Sequence, residues 1–72
     1  MVTLTQIQKK IAEAIKQSGI TQTTLAQKLG IKQPTISHYI KGDKMPALDT
    51  FANLCAILDI DANEILCIDN RH

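Results

Sequence analysis

The sequence predicts an all-α fold, a compact bundle of five short helices in one domain over residues 1–72. Apolar residues recur three and four positions apart along the chain, which is the spacing of one helix face. Glycine, proline and hydroxyl-bearing residues interrupt this pattern at short intervals, where helices start and stop. No segment alternates apolar and polar residues as a half-buried strand would. The apolar fraction of 44% is enough for one core.

The first predicted helix starts at Leu4 or Thr5 and ends at Gln17, before Gly19. Two pairs are placed to form a capping box at its start, Thr3 with Gln6 and Thr5 with Gln8. The stripe expected to face the core contains Leu4, Ile7, Ile11, Ala14, Ile15 and Ser18.

The second helix begins after Thr21, a good N-cap residue, and ends at Leu29. Gly30 follows, where the chain needs a residue that tolerates positive φ. The third helix has Pro34 at its predicted first position, which makes Gln33 the expected N-cap, and it ends at Gly42. Its apolar stripe consists of Ile36, Tyr39 and Ile40.

The fourth helix is predicted over residues 48–58 and the fifth begins after Asp61. In the fourth, the residues expected to face the core are Leu48, Phe51, Leu54 or Cys55, and Leu58. Asp61 is a suitable N-cap for the fifth helix, with Glu64 completing an acidic capping box. An apolar tail then closes the chain.

Residues 22–41 form the most informative segment, because the second and third helices meet there across a tight turn at Gly30. Ala26 is small enough for two helices to cross closely, and Ile36 and Tyr39 can hold the third helix against the core. This combination predicts a helix-turn-helix, whose second helix can enter the DNA major groove.

Charge is divided between the two halves of the chain, although the net charge is only +1. Residues 1–44 contain seven lysines and two acidic residues, whereas residues 45–72 contain one arginine and five acidic residues. A polyanion would be attracted to the first part and repelled by the second. Charge alone favours the alternative, ordinary solvated helix faces.

Three stretches of the chain carry a family resemblance: Thr21 to Ile31, Gln33 to Tyr39, and Lys41-Gly42 followed by Pro46 and Leu48. With these stretches, residues 7–66 resemble the phage repressor and Cro-type (XRE) helix-turn-helix family. The resemblance implies a lambda-repressor-like five-helix domain that binds operator DNA as a dimer. Two positions depart from the family pattern, Pro34 where relatives often carry a polar base-reading residue and Ile40 where many carry an acid.

The start and outward face of the third helix supply the candidate base-reading residues, namely Gln33, Pro34, Thr35, Ser37 and His38. Gln33 can pair with adenine N6 and N7, while Pro34 and the methyl group of Thr35 suit a thymine methyl group. His38 can donate to guanine N7 or to a phosphate. The alternatives are a plain cap for Gln33 and solvated surface positions for Thr35 and His38.

Candidate phosphate-binding residues lie at the start of the second helix and around the third: Gln22, Thr23, Lys32, Lys41 and Lys44. Gln22 is assigned this role from its position beside the helix N-terminal amides, and relatives with this glutamine use it so. Lys9 or Lys10 can also reach a phosphate from the first helix.

The apolar tail is a candidate dimer interface, formed by Ile65, Leu66, Cys67 and Ile68. The alternative is that these residues cap the core of a single copy.

Cys55 is expected to be a small buried hydrophobe and both cysteines to be free thiols, because neither has the spacing of a metal site. The role of Cys67 stays open.

The chain lacks the residues for several other functions. It has no nucleophile–base set, no metal cluster and no phosphate-cradling glycine loop, so no enzyme activity, metal, cofactor or small-molecule ligand is expected. No signal peptide or membrane span is apparent, which predicts a cytoplasmic protein without membrane contact.

The predicted function is therefore sequence-specific binding of double-stranded DNA, as a homodimeric transcriptional repressor on a pseudo-palindromic operator. The alternatives are a DNA-binding antitoxin of a toxin–antitoxin pair and a protein-interaction module.

Overall fold

A computed structural model describes residues 1–68, and all regular structure in that part of the chain is helical. The predicted all-α fold class is confirmed. The helices are α1 (Leu4–Ser18), α2 (Gln22–Leu29), α3 (Gln33–Lys41), α4 (Leu48–Leu58) and α5 (Ala62–Ile65). Asp69 and Arg71, which were counted in the acidic half of the chain, lie outside the described residues.

The core of the bundle receives side chains from each of these five helices. α3 and α4 each pack against both α1 and α2, and α5 packs against α1. The buried cluster consists of Ile11, Ile15, Leu25, Ala26, Ile36, Tyr39, Phe51, Leu54, Cys55 and Ile65. The burial of Cys55 confirms that it serves as a small core residue.

Side-chain caps begin α1 and α2 as the sequence predicted. Thr3 Oγ1 accepts a hydrogen bond from Gln6 N at 3.2 Å, and Gln6 Oε1 accepts one from Thr3 N at 2.8 Å. The first of the two candidate pairs therefore forms the capping box. At α2, Thr21 Oγ1 accepts from Thr24 N at 3.1 Å.

Three residues predicted to face the core are exposed instead, and these predictions were wrong. Leu4 and Leu48 are the first residues of α1 and α4, and Leu48 is 85% exposed. Each lies in the first turn of its helix, before the part that reaches the core. The apolar spacing extends into this turn, but the turn projects beyond the bundle and its side chain is exposed. Ser18 is exposed at the end of α1, where its hydroxyl donates to Ile15 O at 2.7 Å and accepts from Ile20 N at 3.2 Å.

The predicted start of α3 was wrong by one residue. Lys32 occupies the N-cap position without a side-chain cap, Gln33 is the first helical residue and Pro34 the second. The carboxamide of Gln33 is not available as a cap because it is hydrogen-bonded to side chains elsewhere. A proline is tolerated here because the amides of the first turn have no partner within the helix.

The N-cap of α5 is confirmed, but its predicted capping box does not form. The carboxylate of Asp61 accepts from Asn63 N at 2.9 Å, while Glu64 N donates to the backbone carbonyl of Asp61 at 3.0 Å. This helix has only four residues, so its caps are the tight local contacts of a single turn.

Candidate nucleic-acid interface

α3 is fixed by one buried face, which determines the residues it can present to a ligand. Ile36 is completely buried and Tyr39 nearly so, as the helical spacing predicted. Burial raises the pKa of the Tyr39 hydroxyl, in keeping with its place in the core. Pro34 and His38 are exposed, and Thr35 is half-buried.

The turn between α2 and α3 sets the direction of α3 relative to α2. Gly30 has a φ of 71°, in the left-handed region. Its amide donates to Gln27 O at 3.2 Å, and Ile31 N donates to Ala26 O at 3.0 Å. These two bonds satisfy carbonyl groups at the end of α2 and direct the chain back across it.

The side chains of Gln22, Gln33 and Ser37 form one hydrogen-bonded cluster, here called the glutamine cluster. Gln33 Nε2 donates to Gln22 Oε1 at 2.6 Å and to Ser37 Oγ at 3.2 Å. Ser37 Oγ donates to Gln22 Oε1 at 2.7 Å. The cluster joins the first residue of α2 to the first turn of α3.

The cluster leaves some of the groups that the predicted contacts need. Gln33 Oε1 accepts no hydrogen bond within residues 1–68 and can accept from adenine N6, whereas both Nε2 hydrogens are used in the cluster. A bidentate pair, in which Nε2 also donates to adenine N7, therefore requires one of the two cluster bonds to be exchanged for the base. Gln22 retains its Nε2 group, which can donate to a phosphate. Ser37 is half-buried and its hydroxyl is already bonded on both sides, so it is placed to support Gln33.

Sequence reasoning named these three residues separately and missed their connection. The spacing of Gln33 and Ser37, four residues apart on one helix face, was the available signal. The contact to Gln22 spans 11 residues and depends on the crossing of two helices.

Sequence reasoning missed the role of Asp43, which contacts the predicted base-reading His38. Asp43 Oδ1 lies 2.8 Å from His38 Nδ1. Gly42, with a φ of 81°, brings Asp43 back over the last turn of α3, and Asp43 N donates to His38 O at 3.2 Å. A glycine at a helix end followed by a hydrogen-bonding residue was the signal that could have found this pair.

The candidate phosphate-binding lysines, Lys32, Lys41 and Lys44, are exposed, as is Thr23 at the start of α2. No lysine forms an ion pair within residues 1–68, so these ammonium groups are not neutralised by acidic neighbours in that range. Lys9 and Lys41 line the same groove of about 420 Å³ between α1 and the end of α3. Lys10 lines a different groove, beside Glu64.

The candidate dimer residues are divided by the fold. Ile65 is 6% exposed and belongs to the core, so it acts within one copy of the chain. Leu66 is half-buried, whereas Cys67 and Ile68 are exposed, with Ile68 at 52%. The surface available to a second copy in this tail is therefore smaller than expected.

Among residues 1–68, His, Cys, Asp and Glu side chains do not come together in threes as a metal site would require. No helix in that range is both long enough and apolar enough to cross a membrane.

Comparison with known proteins identifies the family. A helix-turn-helix family model matches residues 11–65. The chain is also 37% identical over 51 residues to YqaE of Bacillus subtilis (strain 168), an uncharacterized HTH-type transcriptional regulator. The match covers 71% of this chain and 44% of the length of YqaE. The chain therefore belongs to the XRE-type helix-turn-helix family, a non-enzymatic family of DNA-binding transcription regulators.

Proposed function

We propose that the protein is a sequence-specific double-stranded DNA-binding transcriptional regulator that inserts α3 into the major groove. The glutamine cluster is the observation that carries this proposal. It braces Gln33 at the exposed start of α3, where residues of a recognition helix contact base edges. Gln22 is the first residue of α2 and uses only its Oε1 atom in the cluster, which supports a contact between its amide nitrogen and a phosphate at this helix N-terminus.

The base-reading set consists of Gln33, Pro34, Thr35, Ser37 and His38, with direct readout resting mainly on Gln33 and His38. Ser37 acts by supporting Gln33. Backbone contacts come from Gln22, Thr23, Lys32, Lys41 and Lys44. Such contacts fix the register of the protein on the duplex without selecting a sequence.

The regulator acts as a repressor, and as a homodimer on a pseudo-palindromic operator. Two copies related by a two-fold axis would place their α3 helices about one helical turn apart on the same side of the duplex. Because the proposed ligand is operator DNA, we place the protein in the cytoplasm.

Selection of bound duplexes from a random pool tests the proposal. The expected result is a pair of inverted half-sites with centres about 10 base pairs apart, and affinity that falls steeply with salt. Enrichment of a single half-site without symmetry would contradict the dimer. Failure to enrich any sequence, at low or moderate salt, would contradict sequence-specific DNA binding.

A further inference from the structure

The pair formed by His38 and Asp43 lies at the end of α3 and is joined by a backbone contact as well as a side-chain contact. Gly42 takes a left-handed conformation, and the next amide, Asp43 N, donates to the carbonyl of His38 at 3.2 Å. The same two residues meet again through their side chains, at 2.8 Å. This second contact is positioned by the first, although the side chains are 50% and 55% exposed.

The chemistry of the carboxylate determines which nitrogen of the imidazole carries hydrogen. An ionised carboxylate has no hydrogen to donate, so the bond to Asp43 requires a hydrogen on His38 Nδ1. A neutral imidazole carries only one such hydrogen, which leaves Nε2 with a free lone pair. Lys41 and Lys44, the neighbouring cations in sequence, form no ion pair with either residue within residues 1–68.

We propose that Asp43 is a positioning residue that makes neutral His38 a hydrogen-bond acceptor in the major groove. This inference rests on the proposed DNA binding. The major-groove donors are the amino groups of cytosine (N4) and adenine (N6), whereas guanine presents only acceptors there. In this role His38 accepts a hydrogen bond from cytosine or adenine. It does not donate to guanine N7, the contact that its side chain alone suggested.

The tautomer can be measured in the free protein, without DNA. Long-range ¹H–¹⁵N correlation spectra are recorded at pH 8.5, because this pH lies above the range in which histidines ordinarily change charge. The signals of His38, assigned by their loss in His38→Ala, are expected to show hydrogen on Nδ1. Asp43→Ala should raise the fraction with hydrogen on Nε2. Predominance of the Nε2–H form in the unsubstituted protein would overturn the inference, whatever the DNA data show.

Base preference is measured by selection from a random duplex pool at the same pH. One base pair should favour cytosine or adenine at the position facing His38 by about fivefold, the effect of one hydrogen bond. That preference should disappear in both His38→Ala and Asp43→Ala. Asp59→Asn is the matched control, since it removes the same charge at a left-handed position that asparagine tolerates, and it should retain the preference.

The outcomes separate this inference from the proposed function. Binding that weakens when the purine of that base pair is replaced by its 7-deaza analogue, which lacks the N7 acceptor but leaves the amino donors in place, or an unchanged preference in Asp43→Ala, would overturn the role of Asp43 while DNA binding stands. The same holds if His38→Ala alters no base pair. If no duplex is bound at all, the proposed function fails and the inference fails with it.

Discussion

At the scale of single residues, the carboxamide of Gln33 has two tasks. Its two Nε2 hydrogens are used in the glutamine cluster, and its Oε1 atom accepts no hydrogen bond within residues 1–68 and can serve a base. The bond to Gln22 restricts the rotation of a flexible side chain before DNA arrives, which lowers the entropy that binding must remove. A restrained glutamine should therefore discriminate better than a free one on the same helix.

Replacing Gln33 with alanine should lower affinity for the selected duplex by about 1–3 kcal/mol and relax preference at one base pair. Fluorescence anisotropy with the selected duplex and its single-base variants measures both effects. Gln17→Ala, an exposed glutamine of α1, is the control and should bind as the unsubstituted protein does. An equal loss of affinity for all sequences would contradict base reading by Gln33.

Cys55 gives a pH-dependent contribution to stability. Burial, and secondarily the nearby Asp61 carboxylate, raises the pKa of its thiol above the ordinary value of 9.0. The unfolded chain therefore loses this proton at lower pH than the native protein. The resulting stabilisation is complete below the unfolded-state pKa and is lost as pH rises through the folded-state pKa.

The free energy of unfolding should consequently fall between pH 8 and pH 10, and fall less in Cys55→Ala. Urea unfolding followed by circular dichroism at several pH values measures this difference. Cys67→Ala removes an exposed thiol and should follow the unsubstituted protein. Identical pH profiles for Cys55→Ala and the unsubstituted protein would show that this thiol makes no contribution.

At the scale of helices, the turn at Gly30 connects fold to recognition. An added Cβ at Gly30 would meet no atom within 4 Å, so space is not the constraint. The constraint is the φ of 71°, which costs an L-residue energy whatever surrounds it.

Gly30→Ala should therefore destabilise the protein by about 1–2 kcal/mol through backbone strain alone. Thermal or urea unfolding measures the change, with Gln27→Ala in the preceding turn as a control of small effect. If the substitution is neutral, the chain can leave α2 by another path, and the turn does not determine where α3 lies.

The order of the helices and most of their ends could be predicted because their signals are local. Thr21 and Gly30 act on adjacent amides and carbonyls, and the sequence displays them directly. The exposure of Leu48 could not be predicted, because apolar spacing shows which face is apolar but not where the helix meets the core. The contact of Gln22 with Gln33 was hidden for a similar reason, since it depends on how two helices cross.

At the scale of the whole molecule, the lysines of residues 1–44 are distributed over several surfaces. Lys41 and Lys9 line the groove beside the end of α3, while Lys10 lies in another groove near Glu64. A duplex that docks on α3 would meet the first pair. Glu64 of α5 lines the other groove, and its negative charge disfavours DNA there.

Lys41→Gln should weaken binding to all sequences alike. It should also reduce the magnitude of the slope of log K against log salt by about 1, the contribution of one phosphate contact. Lys10→Gln is the matched control and should leave that slope unchanged. Titrations from low to moderate salt measure both slopes. Equal reductions in the two variants would indicate a general charge effect instead of a docked face.

Dimer formation should depend on the exposed tail, because Ile65 is occupied within the core. Sedimentation at several concentrations should show association that Ile68→Ser weakens. Leu48→Ser removes a more exposed apolar residue from α4 and serves as the control. A protein that stays monomeric at every concentration, and on DNA, would contradict the homodimer.

The glutamine cluster has a consequence for changing the target of this protein. Ile36 and Tyr39 hold α3 in place, so the outward positions can be exchanged while the scaffold is kept. Positions 22, 33 and 37 cannot be exchanged one at a time, because each donates to or accepts from the others. A redesign for a new operator must treat these three as one unit, and relatives that have diverged in specificity should vary at them together.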